Sequence, residues 1–233
     1  MQKAELNKPS EPNITSGIIL STTEYDAKKA HLNQQKDICQ ALYVVTSGGF
    51  KSYTTQALDR SRITGFYFLG EIVGLAGMSG EGFDTSVKAL ADSTACELPL
   101  AEIERISLEF PLLKFYLLKE MSQEIIKYKT MLTLLGNYTA QEKVAGFLLD
   151  LSIRLHSSKR DEMDSTSSNS ANFTLPMTYA DMGNCLGLTV ETVRRIMSYL
   201  REQKVLSIEN KKVIISDSEK LRKLRKLISP LHS

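Results

Sequence analysis

The sequence predicts an α+β chain in three parts: an antiparallel β-roll, one long amphipathic helix, and a helical head carrying a small β-wing. Three observations carry this. β-rich text punctuated by glycine runs from about His31 to Leu100, and short strands with glycine at their corners make a roll or barrel. Beyond Phe110-Pro111 the apolar spacing switches to the period of a helix. Between Thr178 and Arg201 two short helical patterns are separated by a glycine turn. The expected parts are residues 1–108, 109–137 and 138–233.

Length and composition agree with this division. A chain of 233 residues buries a real core and splits naturally into two modest domains. It is 42% hydrophobic and 24% charged, and no apolar run approaches the roughly 18 residues of a membrane helix. The opening MQKAELNKPSEPNITSG is polar and lacks the apolar stretch of a secretion signal. Cys39, Cys96 and Cys185 are odd in number and widely spaced, unlike a disulfide framework. A cytoplasmic protein with no membrane partner is expected, and residues 1–30 read as a loosely attached arm.

The roll rests on ALYVVTSGGFKSYTT, SRITGFYFLGEIVGL and TSVKALADSTACELPL, with Gly48, Gly49, Gly65, Gly70 and Gly74 at the breaks. The long helix follows, from Leu112 to Leu135. Proline is tolerated at its start, and Gly136-Asn137 is a natural stop. Its apolar stripe is Leu113, Leu117, Met121, Ile125, Tyr128 and Leu132, with Phe115, Leu118, Ile126, Met131 and Leu134 lying off it. A helix apolar on more than one face buries more than one face. One side is expected against the roll and the stripe against a second copy; a central core helix of a monomer is the alternative. A second helix is expected near Ala140–His156. The serine-rich Ser157–Asn172 that follows cannot bury itself and reads as a loop.

The segment TYADMGNCLGLTVETVRRIMSYLR is the most informative. Thr178 followed by Asp181 has the pattern of an N-cap with an acid at the third position. Gly187 can take a positive φ and end the first helix, and Thr189 can cap the second with Glu191 in its first turn. This spacing describes a helix-turn-helix; an ordinary helical hairpin is the alternative. The second helix, near Thr189–Gln203, presents Glu191, Thr192, Arg194, Arg195 and Ser198 outward. Carboxylate accepts from the cytosine amino group and guanidinium grips guanine O6 and N7 in the major groove. Glu191 and Arg195, four apart, could instead form a surface salt bridge. VLSIENKKVIISD alternates like a hairpin with its turn at Asn210-Lys211, a wing beside the helix pair. Lys220–Lys226 is rich in bases, suited either to phosphate or to a solvated helix face. Charge agrees: residues 140–233 carry 15 Lys and Arg against 11 Asp and Glu, a net of +4, and the rest 14 against 16, a net of −2. Double-stranded DNA is the expected partner.

In this order of parts the chain resembles the cAMP receptor protein/FNR family of bacterial regulators, from about Leu32 to Ser216. SGGFKSY, ITGFYFLGEIVG, ACELP and GNCLGLTVETVRRI carry the resemblance, and GLTVET looks like the FNR branch. It implies a cyclic-nucleotide-binding-like roll and a homodimer on a palindromic site. It also implies a transcription regulator, expected to be an activator, that contacts RNA polymerase, with Glu191 and Arg195 at the family's two base-reading positions. Arg194 departs from the branch's small residue. Cyclic-nucleotide binders also place an arginine in the roll, after a Gly-Glu that reaches the ribose. Gly70-Glu71 is present, but no arginine lies between Arg62 and Arg105, and Lys88 does not replace the bidentate fork. Residues 1–38 hold no cysteine, so four thiolates for an iron–sulfur cluster are not assembled, and Cys96 reads as a small core residue. No cofactor or metal is expected. No Walker loop, nucleophile elbow or metal spacing suggests an enzyme. The glycine-rich Gly74–Gly82 is expected as a surface loop that touches the polymerase. A roll-type ligand or redox sensor with a vestigial DNA-binding domain is the alternative function.

Overall fold

Strands form where β-branched and aromatic residues alternate with polar ones, because that pattern fits a half-buried pleated surface. A computed structural model describes residues 13–15, 18–26, 31–56, 60–157 and 171–224. It divides into two compact units after Ile126.

In the first unit the strands are β1 (Asn13–Thr15), β2 (Ile18–Tyr25), β3 (His31–Asn33), β4 (Ala41–Ser47), β5 (Gly49–Gln56), β6 (Arg60–Phe68), β7 (Ile72–Val73), β8 (Ser86–Ala89) and β9 (Ser93–Pro99). They make two antiparallel sheets, ordered β1-β2-β9-β4-β7 and β3-β8-β5-β6. The faces turned toward each other bury one cluster: Tyr25, Leu32, Val45, Phe50, Tyr67, Val73, Val87, Ala89 and Ala95. Tyr25 and Phe50 meet edge to face at 5.5 Å between ring centres, a favoured aromatic geometry. The antiparallel roll expected from the sequence is therefore present. The loose arm expected over residues 1–30 is corrected in part. Within it β2 pairs with β9, Ser21 opposite Glu97 through Tyr25 opposite Ser93. Its β-branched Thr22 and Thr23 suit an extended strand, and its polarity hid that. Residues 1–12, 16–17 and 27–30 of that arm lie outside the described residues.

The sequence reading also passed over α1 (Leu100–Glu109), which buries Ile103, Ile106 and Ser107. Then comes α2 (Leu112–Asn137). Leu117, 5% exposed, packs with Leu42, Ile72, Leu75 and Ile103, and Leu113 joins the edge of that cluster. This corrects the expected partner-facing stripe. Its first two residues are spent inside the chain's own core, because the helix begins against the roll. Besides Leu112, Phe115 and Tyr116 near its start, the open apolar residues of α2 are Leu118 at 62%, Ile125 at 54% and Leu132 at 70%, with Met121 and Tyr128 more than a third exposed. Their 3-4-3-4 spacing is that of a coiled-coil seam. From inside the roll, the Tyr67 hydroxyl donates to Oε1 of Glu124 on α2 at 3.1 Å.

The second unit holds α3 (Ala140–Ser157), β10 (Ala171–Thr174), α4 (Tyr179–Leu186), α5 (Val190–Glu202), β11 (Leu206–Glu209), β12 (Lys212–Ile215) and α6 (Ser218–Leu224). Its sheet runs β10-β12-β11. The expected hairpin is β11–β12, turned by Asn210 at φ 47° and Lys211 at φ 67°, the paired left-handed residues of a two-residue turn. Strand β10 was not foreseen. It takes the last two residues of the expected serine-rich loop, whose residues 158–170 lie outside the described residues. Arg225 and Lys226 of the basic tail lie outside them too. Among the described residues, no helix is long and apolar enough to cross a membrane.

Candidate nucleic-acid interface

Two caps and a tight crossing set the geometry of the site. Thr178 Oγ1 accepts from the Asp181 backbone N–H at 3.1 Å, and the Asp181 carboxylate accepts from the Thr178 N–H at 3.1 Å. This reciprocal box satisfies donors that the first turn of α4 would otherwise leave open. Gly187, at φ 67°, ends α4. A Cβ on Gly183 would lie 2.7 Å from the Leu188 carbonyl oxygen, so the chain turns back at a distance only glycine permits. Thr189 then caps α5, its Oγ1 accepting from the Thr192 N–H at 3.1 Å.

α5 buries Val193, Ile196, Met197 and Leu200 along one side. At 100° per residue the opposite side is Glu191, Arg195, Ser198 and Glu202, with Arg194 flanking it. Glu191, Arg194 and Arg195 are exposed; Thr192 and Ser198 are half-buried. These five expected residues lie together on one outward surface. Thr178 and Thr189 sit at its edge, where their hydroxyls serve as caps. The salt bridge considered between Glu191 and Arg195 does not form. Arg194 takes the carboxylate instead, Nη1 to Oε2 at 3.0 Å, the side chains being 60% and 65% exposed. Among the described residues Arg195 makes no ion pair. Sequence reasoning missed Val190, an exposed valine at the first position of α5. No signal in the sequence marked it: it stands three before Val193 and seven before Met197, the spacing of the buried side, and it is open because α5 begins there. The wing tip adds exposed Lys211 and Lys212.

A short, capped helix held rigidly on a small core, with charged groups on its open side, suits the DNA major groove. The fold and this site define a DNA-binding transcription regulator. Comparison with known proteins agrees. The Crp-like helix-turn-helix domain matches residues 142–224 and the cyclic nucleotide-binding domain residues 24–109. The transcriptional activator protein Anr of Pseudomonas protegens is 35% identical over 191 residues, covering 82% of this chain and 75% of that one. The fumarate and nitrate reduction regulatory protein of Vibrio cholerae is 33% identical over 197 residues, covering 84% and 76%. The structure of FixK2 from Bradyrhizobium japonicum superposes with a TM-score of 0.78 at 24% identity, covering 91% of this chain and 100% of that one. The chain belongs to the Crp/Fnr family of transcription regulators.

The roll does not fit a cyclic nucleotide. Tyr25, Phe50 and Tyr67 fill its interior. Gly70-Glu71 does not reach inward: the Glu71 carboxylate accepts from the Phe68 N–H at 3.0 Å and closes its own turn. Val87 and Ala89 take the inner face of β8, which puts Lys88, the residue between them, on the outer one. Cys96 is half-buried rather than fully in the core, and its thiol is pushed up by burial and by Glu97, against a lowering hydrogen bond with Thr22. Burial also raises the Cys39 thiol.

Proposed function

We propose that this chain acts in the cytoplasm as a homodimer on an inverted-repeat DNA site and activates transcription by contacting RNA polymerase. In this reading residues 1–108 are the roll, 109–137 the dimerisation helix and 138–233 the DNA-reading domain. The observation that carries it is the open face of α5. Arg195 grips a guanine, Glu191 accepts from a cytosine amino group, and Val190 offers its methyl groups to a neighbouring thymine. Thr192, Arg194 and Ser198 contact the flanking bases and backbone, and Thr178 and Thr189 lie beside the phosphates. Met121, Ile125, Tyr128 and Leu132, joined by Leu118, form the seam between copies. A two-fold axis places the two α5 helices in successive major grooves about 34 Å apart. The test is binding of wild type and Arg195→Ala to single-base variants of a TGA-containing inverted repeat. The variant should lose roughly 1–3 kcal/mol per half-site and its preference at one base pair. Identical ranking of the set by both proteins would sink the reading.

A further inference from the structure

Three bases stand in one line on the outside of the roll. His31 on β3 pairs with Lys88 on β8, and Lys88 pairs on its other side with Lys51 on β5. Phe50, Val87 and Ala89 take the inner faces of β5 and β8, so Lys51, Tyr53 and Lys88 share the outer one. Like charges directly opposite each other on neighbouring strands repel, and Lys88 meets one on each side. Among the described residues it makes no ion pair that offsets this. The repulsion shows at His31, where burial and then the Lys88 charge lower the imidazole pKa. His31 Nε2 also lies 2.7 Å from the Tyr53 hydroxyl oxygen. When that nitrogen is bare, the Tyr53 O–H donates to it. When the ring is protonated, Nε2–H donates to the phenol oxygen, and the phenol O–H is released to another acceptor.

Independently of the DNA reading, we propose that His31, Lys88 and Lys51, with the Tyr53 hydroxyl, bind the phosphate group of a small monoester on the outer face of the roll. An anion there relieves the repulsion on both sides of Lys88, favours the charged imidazole and so gains the phenol O–H as a further donor. Phosphate rather than carboxylate follows from the donors. The row holds no arginine fork to grip a planar carboxylate at two points, whereas ammonium groups serve phosphate as point charges. A monoester also carries nearly two negative charges at neutral pH. A small compound rather than a nucleic acid follows from length and surroundings. The row spans two strand spacings, roughly 10 Å. Residues 1–139 carry a net charge of −2, which favours one compact anion over a polyanion.

The experiment titrates inorganic phosphate into the full chain at pH 7 and fixed ionic strength. The readout is the ring-proton NMR signal of His31, identified by its loss in His31→Gln. It should move saturably, with half-effect at about a few millimolar or below, and in the downfield direction of ring protonation. Lys88→Gln should weaken the response at least about tenfold, the loss of one charge-assisted hydrogen bond. Should that variant fail to fold, Tyr53→Phe replaces it and should weaken phosphate about fivefold, since the released hydroxyl is gone. No saturable shift in wild type, a variant that responds as wild type does, or acetate that matches phosphate overturns the proposal. So does a DNA duplex without an inverted repeat that moves the signal where phosphate does not, a result that gives the row to nucleic acid instead.

Discussion

Arg194 and Glu191 are bonded to each other on the reading face of α5, 3.0 Å apart, one turn from the helix start. A surface pair at this spacing adds only about 0.3–0.5 kcal/mol to stability. Its weight lies in binding, because DNA must meet the pair as it stands or exchange its partners. The bond also leaves Arg195 outside the exchange.

Arg194→Ala should therefore leave thermal stability within about 0.5 kcal/mol of wild type. In a binding panel it should keep the preference at the Arg195 base pair and lose one at an outer position. Loss of the Arg195 preference instead would show that the three side chains read as a unit.

Two leucines and one isoleucine separate core from seam. Leu117→Ala removes a side chain buried among Leu42, Ile72, Leu75 and Ile103 and should cost about 2–5 kcal/mol in chemical denaturation, with dimers retained. Ile125→Glu should give monomers by light scattering at nearly unchanged stability. A dimeric Ile125→Glu would move the interface elsewhere.

Calorimetric titration with cAMP should show no binding in the micromolar range. Tyr25, Phe50 and Tyr67 occupy the core of the roll, and no arginine lies between Arg62 and Arg105 to pair with the phosphate. Measurable heat with saturable stoichiometry would overturn this.

The thiols are raised, so at neutral pH little thiolate is present, and the fraction grows as pH climbs toward each pKa. Cys39 and Cys96 should react slowly with a disulfide reagent at pH 7 and faster on the alkaline side. Anaerobic iron–sulfide reconstitution should leave the protein colourless. A visible band abolished by Cys96→Ser would contradict both statements.

Lys36 holds a left-handed φ of 75° while its N–H donates to the Phe83 carbonyl at 2.8 Å. A side chain is disfavoured there. Lys36→Gly should raise stability by up to about 1 kcal/mol, measured by urea midpoint at constant slope.

The helix-turn-helix was legible because its constraints are local. Thr178, Asp181, Gly187 and Thr189 each have a reason to stand where they stand within a few residues of their partners. The hairpin turn at Asn210-Lys211 was legible for the same reason. What failed were assignments that depend on distant chain. β2 is a strand because β9 lies beside it, and nothing within Ile18–Tyr25 announces that neighbour. Leu117 and Leu118 are both apolar and adjacent; only the position of the roll decides which one turns inward. Val190 was passed over because one valine in a helix reads as core until the other apolar positions are seen to fill it.

The pairing of Ser21 with Glu97 also sets an order in time. Closure of such distant segments is slow compared with helix formation. During synthesis β2 emerges early with only the short β1 beside it, and its other edge stays open until the chain has been extended through Pro99. The helices of the second unit need only nearby residues and can condense as they appear. Refolding followed residue by residue should show α4 and α5 protected first and β2 last, and chains halted before Ser93 should aggregate through that waiting strand.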